Sequence, residues 1–136
     1  MKSDGENMVQ IFEKHGKLTI NDILVTGLQL VDRLETIHKK RYLYKNFSPN
    51  NVICGSSGWK QSVIMLVDYS WSQSSNVSKK LLNKKLRKTS NFCSIVDYDD
   101  KQVYTYSNDI ESLFYMIAYF TRGTPLWEVI EEHTPT

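Results

Sequence analysis

Residues 42–54 read Tyr-Leu-Tyr-Lys-Asn-Phe-Ser-Pro-Asn-Asn-Val-Ile-Cys, a polar loop that runs into a short β-branched stretch, Val52-Ile53-Cys54. A second apolar run, Val63–Val67, follows across Gly55-Ser56-Ser57-Gly58, which predicts a small hairpin with a glycine turn. Upstream, Ile20, Ile23, Leu24, Gly27, Leu28, Val31, Leu34 and Ile37 recur at three and four, the spacing of a helix with one buried face. Thr19 followed by Asp22 resembles a helix-opening cap. Met8–Lys14 reads as a shorter helix ending near Gly16. Downstream, Ser107 or Asn108 is placed to cap a helix in which Ile110, Leu113, Phe114, Ile117 and Phe120 keep the period, with Gly123 as its stop. Helices outweigh strands, so the fold class is mainly α with a small β-hairpin.

The polar loop resembles the catalytic loop of protein kinases, whose active form runs His-Arg-Asp-x-Lys-x-x-Asn and whose Asp accepts the proton of the substrate hydroxyl. Tyr44, Lys45 and Asn46 stand at the His-Arg-Asp positions, Ser48 at the Lys and Asn51 at the terminal Asn. Asn46 is therefore a degenerate base position. An amide donates and accepts hydrogen bonds but has no proton-accepting pKa in the working range. Ser48 is a degenerate lysine position. Seventeen residues after Asn51, Val63–Ser70 resembles the strand delivering the Asp-Phe-Gly metal-binding turn, with Asp68, Tyr69 and Ser70 at its three positions. Thr89–Ile95 looks like the end of an activation loop, and Lys88 replaces the glycine expected before it. Asn108-Asp109-Ile110-Glu111-Ser112-Leu113 looks like the Asp-Asp-Leu-Glu-Ser-Leu that opens a long central helix. Gly123-Thr124-Pro125-Leu126-Trp127 echoes a Gly-x-Leu-Pro-Trp ending. This order is similar to the casein kinase I and vaccinia-related kinase group, and Val67-Asp68-Tyr69 leans toward the vaccinia-related branch. The resemblance spans roughly residues 8–130.

The resemblance implies a protein-kinase C-lobe-like fold with the N-lobe absent. No Gly-x-Gly-x-x-Gly occurs in these 136 residues, and nothing resembles Val-Ala-Ile-Lys. In a kinase those elements cover and grip the phosphates. The implied division is an N-terminal tail at the hinge position over 1–7, a partial C-lobe domain over 8–132 and a C-terminal tail over 133–136.

Asn51 and Asp68 occupy the positions that hold magnesium in active kinases. One amide and one carboxylate bind that ion weakly without a phosphate clamp. The alternative, favoured here, is that Asn51 bonds the loop backbone and Asp68 caps its turn. No cofactor is expected, and Mg-ATP enters only if an N-lobe is supplied in trans. The resemblance makes Asp109 a structural anchor, whose counterpart accepts backbone N–H bonds from the catalytic loop. A carboxylate in the first turn also suits the helix dipole. His38, at a helix end, reads as a packing or capping group. His15 and His133 pair with neither Cys54 nor Cys93 at a zinc spacing.

A composition of 40% hydrophobic and 12% aromatic residues is enough for one ordinary core. The net charge of +2 is too small to argue for a charged partner. No run of about 18 apolar residues occurs, so no membrane span is expected. Two cysteines and the lack of an apolar leader point to an intracellular chain, in cytoplasm or nucleus, with reduced thiols. Six of the ten residues in 79–88 are basic: Lys79, Lys80, Lys84, Lys85, Arg87 and Lys88. That run suits a phosphate or nucleic-acid contact, an acidic partner, or a solvated loop, the last being favoured.

Three function classes follow. The first is a catalytically impaired or inactive Ser/Thr kinase-like chain that binds a protein partner, such as a related active kinase, or forms a homodimer through the uncapped lobe surface around Tyr44, Asn51, Asp68 and Tyr69. The second is a fragment of a kinase of this group with ATP binding and residual phosphotransfer. The third is anion or nucleic-acid binding through 79–88, which ranks below a protein partner.

Overall fold

The computed structural model describes residues 5–16, 18–55, 63–75, 92–98 and 103–123. Helix α1 (Met8–His15) opens on Asn7, whose Oδ1 accepts from the Gln10 N–H while Gln10 Oε1 accepts from the Asn7 N–H, each at 2.9 Å. Helix α2 (Ile20–Lys39) opens on the Thr19–Asp22 capping box that the sequence predicts. These reciprocal bonds satisfy donors that a helix start otherwise leaves orphaned. Gly16 (φ +71°) ends the first helix.

Strand β1 (Gly5–Asn7) pairs antiparallel with β3 (Val52–Gly55), which pairs antiparallel with β4 (Ile64–Leu66). The predicted hairpin is therefore the larger part of a three-stranded sheet in the order β1-β3-β4. Its register sets Val52 opposite Leu66 and Cys54 opposite Ile64. β1 lies in the stretch read as a tail. Short strands β2 (Tyr42–Leu43) and β5 (Gln73–Ser74) make a second, two-stranded pair.

The last described helix, α3 (Tyr106–Arg122), starts earlier than expected. Thr105, not Ser107 or Asn108, is its N-cap, and Asn108 serves from inside the first turn by accepting the Thr105 N–H at 2.8 Å. Gly123 closes it in the left-handed conformation (φ +77°), donating its N–H to Tyr119 O.

The core joins α2, α3, the sheet and the loop after β2, through Leu30, Leu34, Tyr44, Phe47, Val52, Leu66, Leu113, Met116 and Phe120. The buried faces are narrower than the periodicity suggested. On α2 the structure buries Ile23, Thr26, Gly27, Leu30 and Leu34, while Ile20, Leu24, Leu28 and Val31 are half or more exposed. On α3 it buries Leu113, Met116 and Phe120 but leaves Ile110 and Phe114 exposed. Apolar residues at both three and four generate two adjacent stripes, and among the described residues only one of them meets the core. No helix of the described residues is long and apolar enough to cross a membrane.

Candidate functional site

The loop between β2 and β3 is held by one carboxylate. Asp109, in the first turn of α3, is fully buried. Its Oδ2 accepts from the Tyr44 N–H and meets His38 Nε2, both at 2.8 Å. Its Oδ1 accepts from the Lys45 N–H at 2.9 Å and the Tyr104 hydroxyl at 2.7 Å. A buried charge is tolerable only when its acceptor sites are filled, and four partners fill these. His38, near the end of α2, also packs against Tyr106 at 4.6 Å between ring centroids. The node thus ties α2, the loop and α3 together.

Inside that frame Asn46, read from the sequence as a degenerate base position, has a definite task. Asn46 is buried, and its Nδ2 donates to the Asp68 carbonyl at 3.0 Å. The opposite amide orientation would set two oxygens against each other, so the donor must face the carbonyl. Asn51 Nδ2 donates to the Asn46 carbonyl at 2.9 Å, and Asn51 O accepts from the Val67 N–H at 3.0 Å. Asn46, Asn51 and the Asp68 turn, 22 residues from Asn46, are therefore stitched into one layer. Ser48 caps the 3-10 turn Pro49–Asn51 by accepting the Asn50 N–H.

Two non-glycine residues of this layer sit in the left-handed region, Lys45 (φ +63°) and Asp68 (φ +59°). Each costs roughly 1–2 kcal/mol, which the Asp109 and Asn46 bonds offset. Lys45 sends its Nζ to Gln73 Oε1 at 3.2 Å and over the Tyr104 ring at 5.0 Å. The exposed Asp68 side chain turns back on its own loop, Oδ1 accepting from the Ser70 N–H and hydroxyl.

The exposed surface expected around Tyr44 is not formed as read. Tyr44 is fully buried, its hydroxyl donating to Val67 O and its ring packed on Phe47 and Tyr69. Its ring is as hydrophobic as the neighbours it fills against, so it joins the core. Tyr69 and Asp68 are exposed and Asn51 half-buried. Lys79, Lys80, Lys84, Lys85, Arg87 and Lys88 lie outside the described residues, as do Thr89–Asn91 and Thr124–Trp127.

As oxygen ligands for magnesium the layer offers the amide of Asn51 and the carboxylate of Asp68. Magnesium demands six oxygens in near-octahedral order. Asp68 Oδ1 accepts from Ser70, while Asn51 donates Nδ2 to the Asn46 carbonyl and so keeps its amide oxygen on the other side. Among the described residues there is no group of three or more His, Cys, Asp or Glu placed to hold a metal ion. Sequence reasoning passed over Tyr104, Gln73 and Ser72. Tyr104 and Gln73 reach the layer through side-chain contacts, and Ser72 reaches it by donating to Tyr44 O at 3.3 Å. Nothing in their local sequence marks them.

No family model matches the chain. It is 24% identical over 135 residues to a probable serine/threonine-protein kinase of Dictyostelium discoideum, an alignment covering 94% of this chain and 27% of that protein. It is 25% identical over 132 residues to casein kinase I homolog 2 of Schizosaccharomyces pombe, covering 91% of this chain and 30% of the relative. The chain spans less than a third of the length of these curated relatives. Over nearly its whole length it is similar to a piece of Ser/Thr protein kinases.

Proposed function

We propose that this chain is a catalytically impaired, kinase-like C-lobe of the casein kinase I and vaccinia-related type that binds a protein partner instead of transferring phosphate. One observation carries the reading: Asn46 occupies the base position as a buried donor to the Asp68 carbonyl. A carboxylate ionised at neutral pH cannot make that bond. The position serves the architecture of the layer, and proton abstraction has no group there. Two further features support a binding role. Ile20, Leu24, Leu28, Val31 and Phe114 are exposed, and contiguous exposed apolar surface commonly marks an interaction site. The Asp109 node keeps the loop rigid although the loop has lost its base. A related active kinase is the partner to try first.

Calorimetric titration with ATP, with and without magnesium, tests the catalytic side. The expected result is no magnesium-dependent heat up to millimolar ATP, and no phosphotransfer by the chain or by Asn46→Asp with Ser48→Lys. Micromolar, magnesium-dependent binding lost in Asp68→Ala, or transfer gained in the double variant, would overturn the reading. On the binding side, titrating the chain into a recombinant active casein kinase I should give saturable heat or a changed rate of phosphorylation.

A further inference from the structure

A cavity of about 620 Å³ lies beside the layer, between the C-terminal half of α2, β2 and the turn after Asp68, and Arg33, Thr36, Ile37, Lys40, Tyr42, Tyr69 and Ser72 line it. Ile37 is partly buried, while Tyr42 and Tyr69 are about half exposed. The volume suits a small organic ligand. Among the described residues the lining carries two cations and no carboxylate, although the Asp32 carboxylate pairs with Arg33 beside it.

The cations are differently prepared. Arg33 donates Nε to the Ile64 carbonyl at 3.3 Å and Nη1 to Asp32 at 2.8 Å, which fixes its guanidinium. Its other N–H donors have no partner among the described residues. Lys40 is exposed at the end of α2, where the helix dipole favours a positive charge. The Tyr69 ring is held against buried Tyr44 at 5.5 Å between centroids. Burial pushes the Tyr69 phenol above its usual pKa, against the opposing pull of Arg33, so it stays an O–H donor at neutral pH. The Ser72 and Thr36 hydroxyls already donate to backbone carbonyls.

We propose that this cavity binds an aryl phosphate, the group that a phosphotyrosine side chain presents, with the ring between Tyr42 and Tyr69 over Ile37 and the dianion between Arg33 and Lys40. The Lys40 ammonium, the remaining N–H donors of the Asp32-paired Arg33 and two phenol donors together offer the several donors that a phosphate's oxygens take. Aromatic walls favour a flat ring over a flexible alkyl stem. The inference does not rest on the kinase-like reading: Tyr42 and Tyr69 enter it only as aromatic walls and phenol donors of the cavity.

Calorimetry of the full chain with phenyl phosphate, inorganic phosphate, and a peptide carrying phosphotyrosine or phosphoserine tests it. Phenyl phosphate should bind at least about tenfold tighter than inorganic phosphate, the difference that roughly one ring contact supplies. Lys40→Gln removes an exposed charge, so it should weaken binding by about fivefold or more while lowering the melting temperature only slightly. The phosphotyrosine peptide should exceed the phosphoserine peptide. If phenyl phosphate alone binds, the ligand is a small molecule and the proposal stands. No saturable binding of phenyl phosphate, equal binding of inorganic phosphate, or an unchanged affinity in both Lys40→Gln and Tyr69→Leu would overturn it.

Discussion

His38 Nε2 and Asp109 Oδ2 lie 2.8 Å apart although 71 residues separate them in the chain. The contact closes a node in which the same carboxylate also holds the Tyr44 and Lys45 N–H groups and the Tyr104 hydroxyl. Asp109→Asn keeps the shape but turns one acceptor into a donor that faces other donors. The expected loss is about 3–5 kcal/mol, the range for breaking a buried, fully bonded charge. Urea denaturation of both proteins measures it.

Tyr104→Phe removes one of those donors and keeps the ring beneath Lys45. One buried hydrogen bond to a charged acceptor contributes about 1.5–3 kcal/mol. The urea midpoint should fall accordingly, and by less than in Asp109→Asn.

Asn46→Asp alone should destabilise the chain at neutral pH, because a buried carboxylate would face the Asp68 carbonyl oxygen. Burial and that oxygen both raise the introduced carboxyl's pKa in the folded state. Stability is then fully present below the unfolded value of about 4 and is lost as pH rises through the folded one. Melting temperatures should converge with the parent chain in acid and diverge toward neutrality. A variant as stable as the parent at pH 7 would show that the amide donor is dispensable.

Two glycines should respond with opposite signs. A Cβ at Gly27 would sit 3.6 Å from Ile117 Cδ1, an ordinary contact between α2 and α3. Gly27→Ala should gain about 0.5–1 kcal/mol from helix propensity and reduced chain entropy. At Gly5 a Cβ would fall 1.8 Å from the Cys54 carbonyl oxygen, so Gly5→Ala must push β1 off β3. Thermal melts of the pair decide both signs.

Cys54 should alkylate slowly. Burial pushes its thiol pKa up, and the carboxylates of Asp22 and Glu6 push in the same direction. Since the thiolate is the reacting species, its fraction at neutral pH falls below that of a free cysteine. The iodoacetamide rate at Cys54, read by peptide mass mapping, should be below that of a model thiol at pH 7 and keep climbing above pH 9.

What was legible in the sequence is what local chemistry decides. The Thr19–Asp22 cap and the Gly123 stop depend on residues within a few positions of each other, and the β3–β4 strands are two apolar runs that follow one another in the chain. β1 was not legible because Gly-Glu-Asn carries no apolar alternation and forms only by pairing with β3. The choice of buried stripe on α3 was not legible either. Met116 and Phe114 both fit the helical period, and only the facing elements decide that the first is buried and the second exposed. At the site, the replacement of a base by Asn46 reads in sequence as a loss. The bond it makes to Asp68 is set by a turn 22 residues away, beyond any spacing rule.

The Asp109 node also sets a timetable for the growing chain. Tyr44 leaves the ribosome 65 residues before the carboxylate that accepts its N–H. At about 5–20 residues per second, that interval is roughly 3–13 s. Through it the Tyr44 and Lys45 N–H groups lack the carboxylate that holds them in the folded chain. The hairpin, the capped helices α1 and α2 and the Asn46–Asp68 bond can form from residues already made, whereas the Tyr44–Lys45 backbone must wait for α3. Slower translation across residues 45–109 should therefore lengthen exposure of this one loop to chaperones and proteases, with little effect on the rest of the fold.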